Sequence, residues 1–228
     1  MRNFKKTLSF LLSTVIIVSS VAGVGTTVFA ATDEHTYKNF KYRILDDNTA
    51  EICGYTGKEA VVTVPDCIDS KPVTSIGRTA FYSGKIKEVT IPDTVKNIKW
   101  WAFYGCESLE KINLNFGLKT VGYGAFMNCK NLKSVSIPMS VTQICDDSFA
   151  VSCSTKKGVF DTYSKQTIST QQYSTDSSFT LEGYSGTVAE KYCNDNSLNF
   201  VSSGNVIYGD VDNNGTVEAA DAKLAKSL

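Results

Sequence analysis

Oxygen-bearing side chains recur at fixed short intervals in residues 210–221 of this 228-residue sequence. They occupy positions 1, 3, 5, 7, 9 and 12 of the stretch: Asp210, Asp212, Asn214, Thr216, Glu218 and Asp221. Calcium takes about six to eight oxygen ligands, and this spacing supplies carboxylates, an amide oxygen and a backbone carbonyl. Gly215, at position 6, permits the sharp turn that such a loop needs. The spacing predicts a calcium-binding loop in which Glu218 acts through water.

The spacing is that of an EF-hand loop, and the simpler alternative is a polar turn that carries acidic residues by chance. With the flanking residues 209 and 222–228, the loop resembles the first half of a type I dockerin, a module that attaches proteins to the cohesins of a cellulosome scaffold. The resemblance implies calcium as the cofactor and a cohesin as the partner. A dockerin has a second unit of this kind, so we expect a half or truncated dockerin. The positions that contact the cohesin in that family hold Ala219 and Ala220, which supply no hydroxyl.

No pattern typical of a catalytic site occurs elsewhere. The one histidine, His35, lies near the start of the chain, which removes the commonest general base from all later positions. The seven cysteines include no Cys-x-x-Cys pair of the zinc-binding kind. Lys plus Arg and Asp plus Glu both total 23, so there is no basic excess for nucleic acid. We expect a protein that is not an enzyme and does not bind nucleic acid.

The first thirty residues have the three-part layout of a secretory signal peptide. A basic start is followed by an apolar stretch over 8–18 and by the small-residue pattern Val28-Phe29-Ala30. An uncleaved membrane anchor is the alternative, although serines, glycines and threonines dilute the apolar segment. We expect a secreted chain, extracellular or held at a cell surface through a scaffold, with no membrane span after cleavage.

A period of 22 to 23 residues runs through the middle of the chain. Phenylalanines mark it at Phe81, Phe103, Phe126 and Phe149. Small residues precede them at Ala80, Ala102, Ala125 and Ser148. One such unit cannot bury its own apolar face, so the repeats must stack into a solenoid. The alternating triplets at 89–91, 112–114 and 135–137 predict one short strand per repeat in a parallel sheet.

The segments 76–81, 121–129 and 132–138 resemble the BspA-type leucine-rich repeat. The resemblance covers roughly residues 38–202, including capping segments at both ends, and it implies a β-rich solenoid used for adhesion or protein recognition. Within the closing cap over 181–202, a short helix over 186–192 and a strand over 199–202 are expected. The Ser-, Thr- and Gln-rich residues 151–180 break the period and predict a surface insertion.

Trp100 and Tyr123 share one repeat position and are candidates for ligand contact, because exposed aromatic residues supply much of the energy at protein and sugar interfaces. Tyr82, Tyr104 and Met127, each next to its phenylalanine, are weaker candidates, and packing between coils is the simpler account of all five. Cys106 and Cys129 also share a position, which places them in neighbouring coils within disulfide reach. Because such positions usually hold small buried residues, buried thiols are the favoured prediction and a disulfide is the alternative. The outward-facing strand residues predict either a solvated surface or a recognition face.

The predicted organisation is a signal peptide (1–30), a leucine-rich repeat domain (31–203), and a linker with a half dockerin (204–228). The hypothesis is a secreted, non-catalytic binding protein. Its repeats recognise an unknown protein or glycan ligand, and its calcium loop docks to a cohesin. Two alternatives stay open: a surface adhesin with a relic dockerin, and a fragment of a cellulosomal enzyme that degrades polysaccharides.

Overall fold

The structure, a computed structural model, describes residues 33–156, 160–161, 166–167 and 170–205, with the side chains of 154–172 and 205 left out. The predicted signal peptide lies outside the described residues. So does the predicted calcium loop over 210–221, including Ala219 and Ala220, together with the rest of the predicted half dockerin.

Eighteen strands and one helix follow the chain in the described residues. They are β1 (His35–Tyr37), β2 (Phe40–Ile44), β3 (Ala50–Tyr55), β4 (Val61–Thr63), β5 (Cys67–Ile68), β6 (Lys71–Ile76), β7 (Glu88–Thr90), β8 (Asn97–Ile98), β9 (Lys111–Asn113), β10 (Thr120–Val121), β11 (Ser134–Ser136), β12 (Gln143–Ile144), β13 (Val151–Lys156), β14 (Phe160–Asp161), β15 (Gln166–Thr167), β16 (Thr170–Thr175), β17 (Thr180–Ser185), α1 (Val188–Asn196) and β18 (Asn199–Asn205).

The repeats form a solenoid, as predicted, but each coil carries two short parallel strands where the sequence predicts one. The predicted strands form as β7, β9 and β11, each beginning one residue earlier than expected. The second row of strands, β6, β8, β10 and β12, pairs in parallel on another side of the coils. Sequence reasoning missed this row because β8, β10 and β12 are two residues long, too short for a period of two to show.

The repeating phenylalanines form a continuous stack through the core. The ring centroids of Phe81, Phe103, Phe126 and Phe149 are 4.8, 5.1 and 5.0 Å apart in turn, with interplanar angles of 10° or less. The residues directly before them are buried and small, which leaves room for a large ring in every coil. This packing fixes the spacing of everything the coils carry on their surface.

The N-terminal cap is an antiparallel sheet, β1–β2–β3, and β3 then pairs in parallel with β6 of the first coil. Glu51 on β3 is fully buried and forms ion pairs with Arg43 on β2 and Lys99 beyond β8. Because a buried carboxylate is costly without such partners, this triad ties the cap to the coils.

The insertion at 151–180 is a β-hairpin in which β13 and β16 pair antiparallel over six residue pairs. The chain then rejoins the array, because β17 pairs in parallel with β11. Ser136 and Glu182, which are hydrogen-bonded neighbours there, are 46 residues apart in sequence. Neighbours in uninterrupted coils, such as Thr90 and Asn113, are 23 residues apart. The predicted closing helix and strand both form, as α1 and β18. The helix begins two residues and ends four residues later than predicted, and the strand ends three residues later.

Candidate functional site

Aromatic and hydroxyl-bearing side chains from successive coils and from the inserted hairpin line an open groove of about 290 Å³. Its lining residues are Thr79, Tyr82, Trp101, Tyr104, Tyr123, Met127, Cys153 and Tyr173. We call this surface the aromatic groove. It is built on the turns that carry the buried phenylalanine stack, so a rigid core positions it.

Two tyrosines on neighbouring coils form one end of the groove. Tyr82 and Tyr104 each follow a stacked phenylalanine, and their rings lie 5.5 Å apart at an interplanar angle of 2°. The Tyr82 side chain is 59% exposed, so much of its ring faces solvent at this end of the groove.

Trp101 lies in the middle of the groove in a backbone conformation that is uncommon for its residue type. Its φ is 56°, and the same turn position in the next coil is Gly124, with φ 58°. A Cβ on Gly124 would lie 2.7 Å from the Trp101 indole, so the absence of a side chain there makes room for the ring. The Arg78 guanidinium sits over the indole at 4.7 Å, and Tyr123 meets it edge-on at 6.2 Å. The same turn is left-handed in every coil, at Thr79 and Asp147 as well, so the repeat backbone fixes the position of the Trp101 ring.

The inserted hairpin supplies the far wall. Cys153 on β13 and Tyr173 on β16 are directly opposite each other across the hairpin. The Asn128 side chain holds the hairpin to the coils: its amide nitrogen donates to the carbonyl of Cys153 at 3.3 Å, and its amide oxygen accepts from the Cys153 N–H at 2.7 Å. The hairpin is therefore a fixed part of the site.

The groove is uncharged but rich in hydroxyls. None of its eight lining residues is an acid or a base other than phenols and one thiol. Partial burial, with the nearby Cys153, raises the pKa of Tyr104 and of Tyr173. A hydrogen bond to Asp147 raises the pKa of Tyr123. The phenols of Tyr104, Tyr123 and Tyr173 consequently stay protonated well into the alkaline range and act as hydrogen-bond donors and acceptors.

The two binding candidates singled out from sequence lie in different grooves. Tyr123 lines the aromatic groove, whereas Trp100, 58% exposed, lines a neighbouring groove of about 470 Å³ beside Arg78 and Lys99. Their shared repeat position therefore does not place them in one groove. Ligand contact by either residue remains a prediction.

Sequence reasoning missed Trp101 and Tyr173. Trp101 could have been found from its repeat position, since a tryptophan aligned with Gly124 and Asp147 stands at a tight turn rather than in the core. Tyr173 left no such signal, because its place in the groove depends on how the hairpin folds back on the coils. The weaker candidates Tyr82, Tyr104 and Met127 do line the groove.

Cys106 and Cys129 are buried free thiols, as predicted. Each thiol donates to the carbonyl of the preceding coil's phenylalanine, Cys106 to Phe81 at 2.9 Å and Cys129 to Phe103 at 3.2 Å. Burial raises the pKa of Cys106 to about 12 and that of Cys129 well above its ordinary value. Both cysteines therefore contribute to the packing of the core.

The outward face of β7 and β9 carries ion pairs between coils. Lys87 pairs with Glu110 at 3.2 Å, and Lys111 pairs with Glu88 at 3.0 Å. Because these four charged side chains are paired with one another, this face resembles an ordinary solvated surface.

The described residues contain neither a metal-site cluster nor a membrane-spanning helix. Within 33–156 and 170–205, no three His, Cys, Asp or Glu side chains are grouped as a metal site requires. In the same part of the chain, no helix is both long and apolar enough to cross a membrane.

Comparison with known proteins identifies the repeats. A model of the BspA type leucine-rich repeat region matches residues 66–180 in six copies, just over half of the chain. The chain therefore belongs to the BspA-type leucine-rich repeat family, as its sequence motifs indicated. No curated protein matches it.

Solved structures of leucine-rich repeat proteins are similar to parts of the chain. TpLRR of T. pallidum is 34% identical over 49% of this chain and 53% of its own length, with a TM-score of 0.47. A protein of Bacteroides capillosus is 30% identical over 50% of this chain and 88% of that one, with a TM-score of 0.48. A protein of Faecalibacterium prausnitzii, described as a leucine rich cell surface protein, is 20% identical over 82% of this chain and 43% of that one, with a TM-score of 0.53. The last likeness supports the solenoid fold. The match to TpLRR spans about half of that protein's length.

Proposed function

We propose that this chain is an exported, non-catalytic binding protein that recognises a surface ligand through the aromatic groove. The observation that carries the proposal is the convergence of five aromatic side chains from the coils and the hairpin on one exposed groove: Tyr82, Trp101, Tyr104, Tyr123 and Tyr173. Large aromatic residues dominate binding energy at recognition surfaces. Membership of the leucine-rich repeat family supports a binding role, because repeat arrays present extended surfaces for recognition.

Export is supported by the sequence of residues 1–30, which has the layout of a signal peptide. We propose that the chain acts outside the cell, either free or at a cell surface.

Capture on natural surfaces tests the binding proposal. The full chain is incubated with plant cell-wall fragments, epithelial cells and bacterial cells, and bound protein is detected by antibody. We expect capture on at least one surface and its loss in the Tyr104→Ala/Tyr173→Ala double variant. Val61→Ala, which removes an exposed apolar side chain on β4 outside the groove, is the matched control and retains capture. Absence of capture, or equal capture by the double variant, refutes the proposal.

We further propose that residues 210–221 bind calcium and attach the chain to a cohesin of a cellulosome-type scaffold. The spacing of Asp210, Asp212, Asn214, Thr216 and Asp221 supports this, because it provides the hard oxygen ligands that calcium prefers. The loop lies outside the described residues, and this second proposal is independent of the groove.

Titration calorimetry of the full chain with calcium tests the loop. We expect one binding event that Asp212→Ala removes and that Asp93→Ala, which changes an exposed acid elsewhere, leaves intact. Immobilised cohesins should then retain the chain with calcium and release it with a chelator. Calcium binding without cohesin capture contradicts docking and leaves the groove proposal standing.

A further inference from the structure

We infer that the aromatic groove takes a neutral, extended polysaccharide chain. The inference rests on the proposed function and adds the chemical class of the ligand. Three properties of the groove carry it: its lack of charge, its hydroxyl content and the spacing of its tyrosines.

Charge complementarity favours an uncharged ligand. No described lining residue carries a formal charge at neutral pH. Arg78 lies over the Trp101 indole, and Asp146 and Asp147 lie near Tyr123, so charges of both signs flank the groove but none belongs to its lining. A charged ligand would lose hydration in the groove without meeting an opposite charge among the lining residues.

The hydrogen-bonding groups match those of a sugar. Four tyrosines and Thr79 line the groove, and a phenol hydroxyl can both donate and accept. The Thr79 hydroxyl donates to the Arg78 carbonyl at 2.7 Å and keeps its lone pairs as acceptors. The nearby Asp147 carboxylate raises the pKa of Tyr123, so this phenol stays protonated at neutral pH and keeps both its proton and its oxygen lone pairs for hydrogen bonding. Between these groups lie the Trp101 indole and Met127, whose apolar surfaces suit the C–H face of a pyranose ring. A sugar presents both kinds of surface within one ring.

The spacing of the tyrosines fits a polymer. Tyr82 and Tyr104 repeat the same position on successive coils, with nearly parallel rings 5.5 Å apart. This step is close to the advance of one sugar residue along an extended β-linked chain, so the two tyrosine rings are spaced to lie beside successive sugars of such a chain.

The size of the groove suits a short stretch of a chain molecule. Its volume of about 290 Å³ is close to the lower limit for small-molecule sites, which run from about 300 to 1,000 Å³. A short stretch of glycan fits it.

Tryptophan fluorescence and calorimetry with defined oligosaccharides test the inference. The sequence has two tryptophans, Trp100 and Trp101, and Trp101 lies in the groove, so intrinsic fluorescence reports its occupancy. The full chain is titrated with the hexamers of β-1,4-linked glucose, xylose and mannose. Oligogalacturonate of the same length is the anionic comparison. We expect saturable binding of at least one neutral hexamer, insensitive to added NaCl, and weaker binding of oligogalacturonate.

Variants assign the binding to the groove. Tyr104→Phe removes one hydroxyl and should raise Kd by about two- to ten-fold, the range of a single hydrogen bond. Tyr173→Ala, at a half-exposed position on the hairpin, should raise Kd at least as much without affecting folding. Val61→Ala should leave Kd unchanged. Identical unfolding midpoints show that each variant is folded.

The outcomes separate the inference from the proposed function. Preference for oligogalacturonate, or no response to any neutral hexamer, overturns the inference. If groove-dependent surface capture then persists and protease treatment of the surface abolishes it, the ligand is a protein and the proposed function stands. If surface capture also fails, both are refuted.

Discussion

Phe126 shows how strongly one side chain supports the array. Its ring is buried between Phe103 at 5.1 Å and Phe149 at 5.0 Å. Phe126→Ala should lower the free energy of unfolding by about 3–5 kcal/mol, because it removes the ring and leaves a cavity that the stacked coils cannot close. Urea denaturation measures the loss. Phe126→Leu keeps more of the volume and should cost less, and equal losses would contradict the cavity argument.

Two features require a glycine at position 124: its left-handed backbone and the close approach of the Trp101 indole. Gly124→Ala should cost about 1–2 kcal/mol for the left-handed backbone alone. It should cost more than Gly186→Ala, because Gly186 is also left-handed, at φ 82°, but has nothing within 4 Å of a new Cβ. The extra loss should come with a changed tryptophan emission, because the new methyl group displaces the Trp101 indole. Equal stability losses and unchanged emission would show that the indole does not pack on Gly124.

The cysteines should differ widely in reactivity. Cys67 is exposed, whereas Cys106 and Cys129 are buried with raised pKa values, so almost none of either is thiolate near pH 8. Maleimide labelling followed by mass spectrometry should modify Cys67 first and leave Cys106 and Cys129 unmodified until the protein is unfolded. Labelling in guanidinium provides the reference. Early modification of Cys129 in the native protein would contradict its burial.

The hairpin depends on a contact at its base that titrates in acid. Hydrogen bonds from Ser178, with an ion pair from Lys133, lower the pKa of Asp176 from its ordinary 3.8 to about 2. A lowered folded-state pKa means that the contact stabilises above about pH 4 and that the stabilisation disappears as pH falls through about 2. Hydrogen exchange should show β13 and β16 more protected in the wild type than in Asp176→Asn at pH 6. The difference should shrink towards pH 2, and a constant difference would contradict the assignment.

The period, the phenylalanine core and the closing helix could be predicted from sequence because each is a local pattern repeated several times. The second row of strands could not, since pairs such as Asn97–Ile98 form strands only when neighbouring coils supply hydrogen-bond partners. Only some residues of the candidate site could be predicted from the sequence. Tyr123 and the weaker candidates carry a repeat signal, whereas Tyr173 reaches the groove only through the fold of an insertion that breaks the period.

The array as a whole should tolerate loss of the outer hairpin. Cys153 and Tyr173 are paired, so residues 154–172 can be replaced by an Asn-Gly turn that suits a two-residue hairpin loop. In a solenoid each coil depends mainly on its neighbours, and the core strands and phenylalanine stack stay unchanged. The shortened protein should unfold in one transition within about 0.5 kcal/mol of the wild type, the usual range for surface changes. Thermal and urea denaturation check this, and a broad or early transition would show that the outer hairpin supports the array.

The hairpin leaves and rejoins its coil at adjacent points, so the binding specificity of the groove can evolve separately from the fold. The N–H of Asp176 donates to the carbonyl of Ala150 at 2.8 Å, so the two ends of the insertion are adjacent in space. Mutations that lengthen, shorten or exchange the hairpin therefore leave the coil closed and the core intact. Selection can act on Tyr173 and its neighbours almost independently of selection for folding, and descendants of one stable scaffold can diverge in what they recognise.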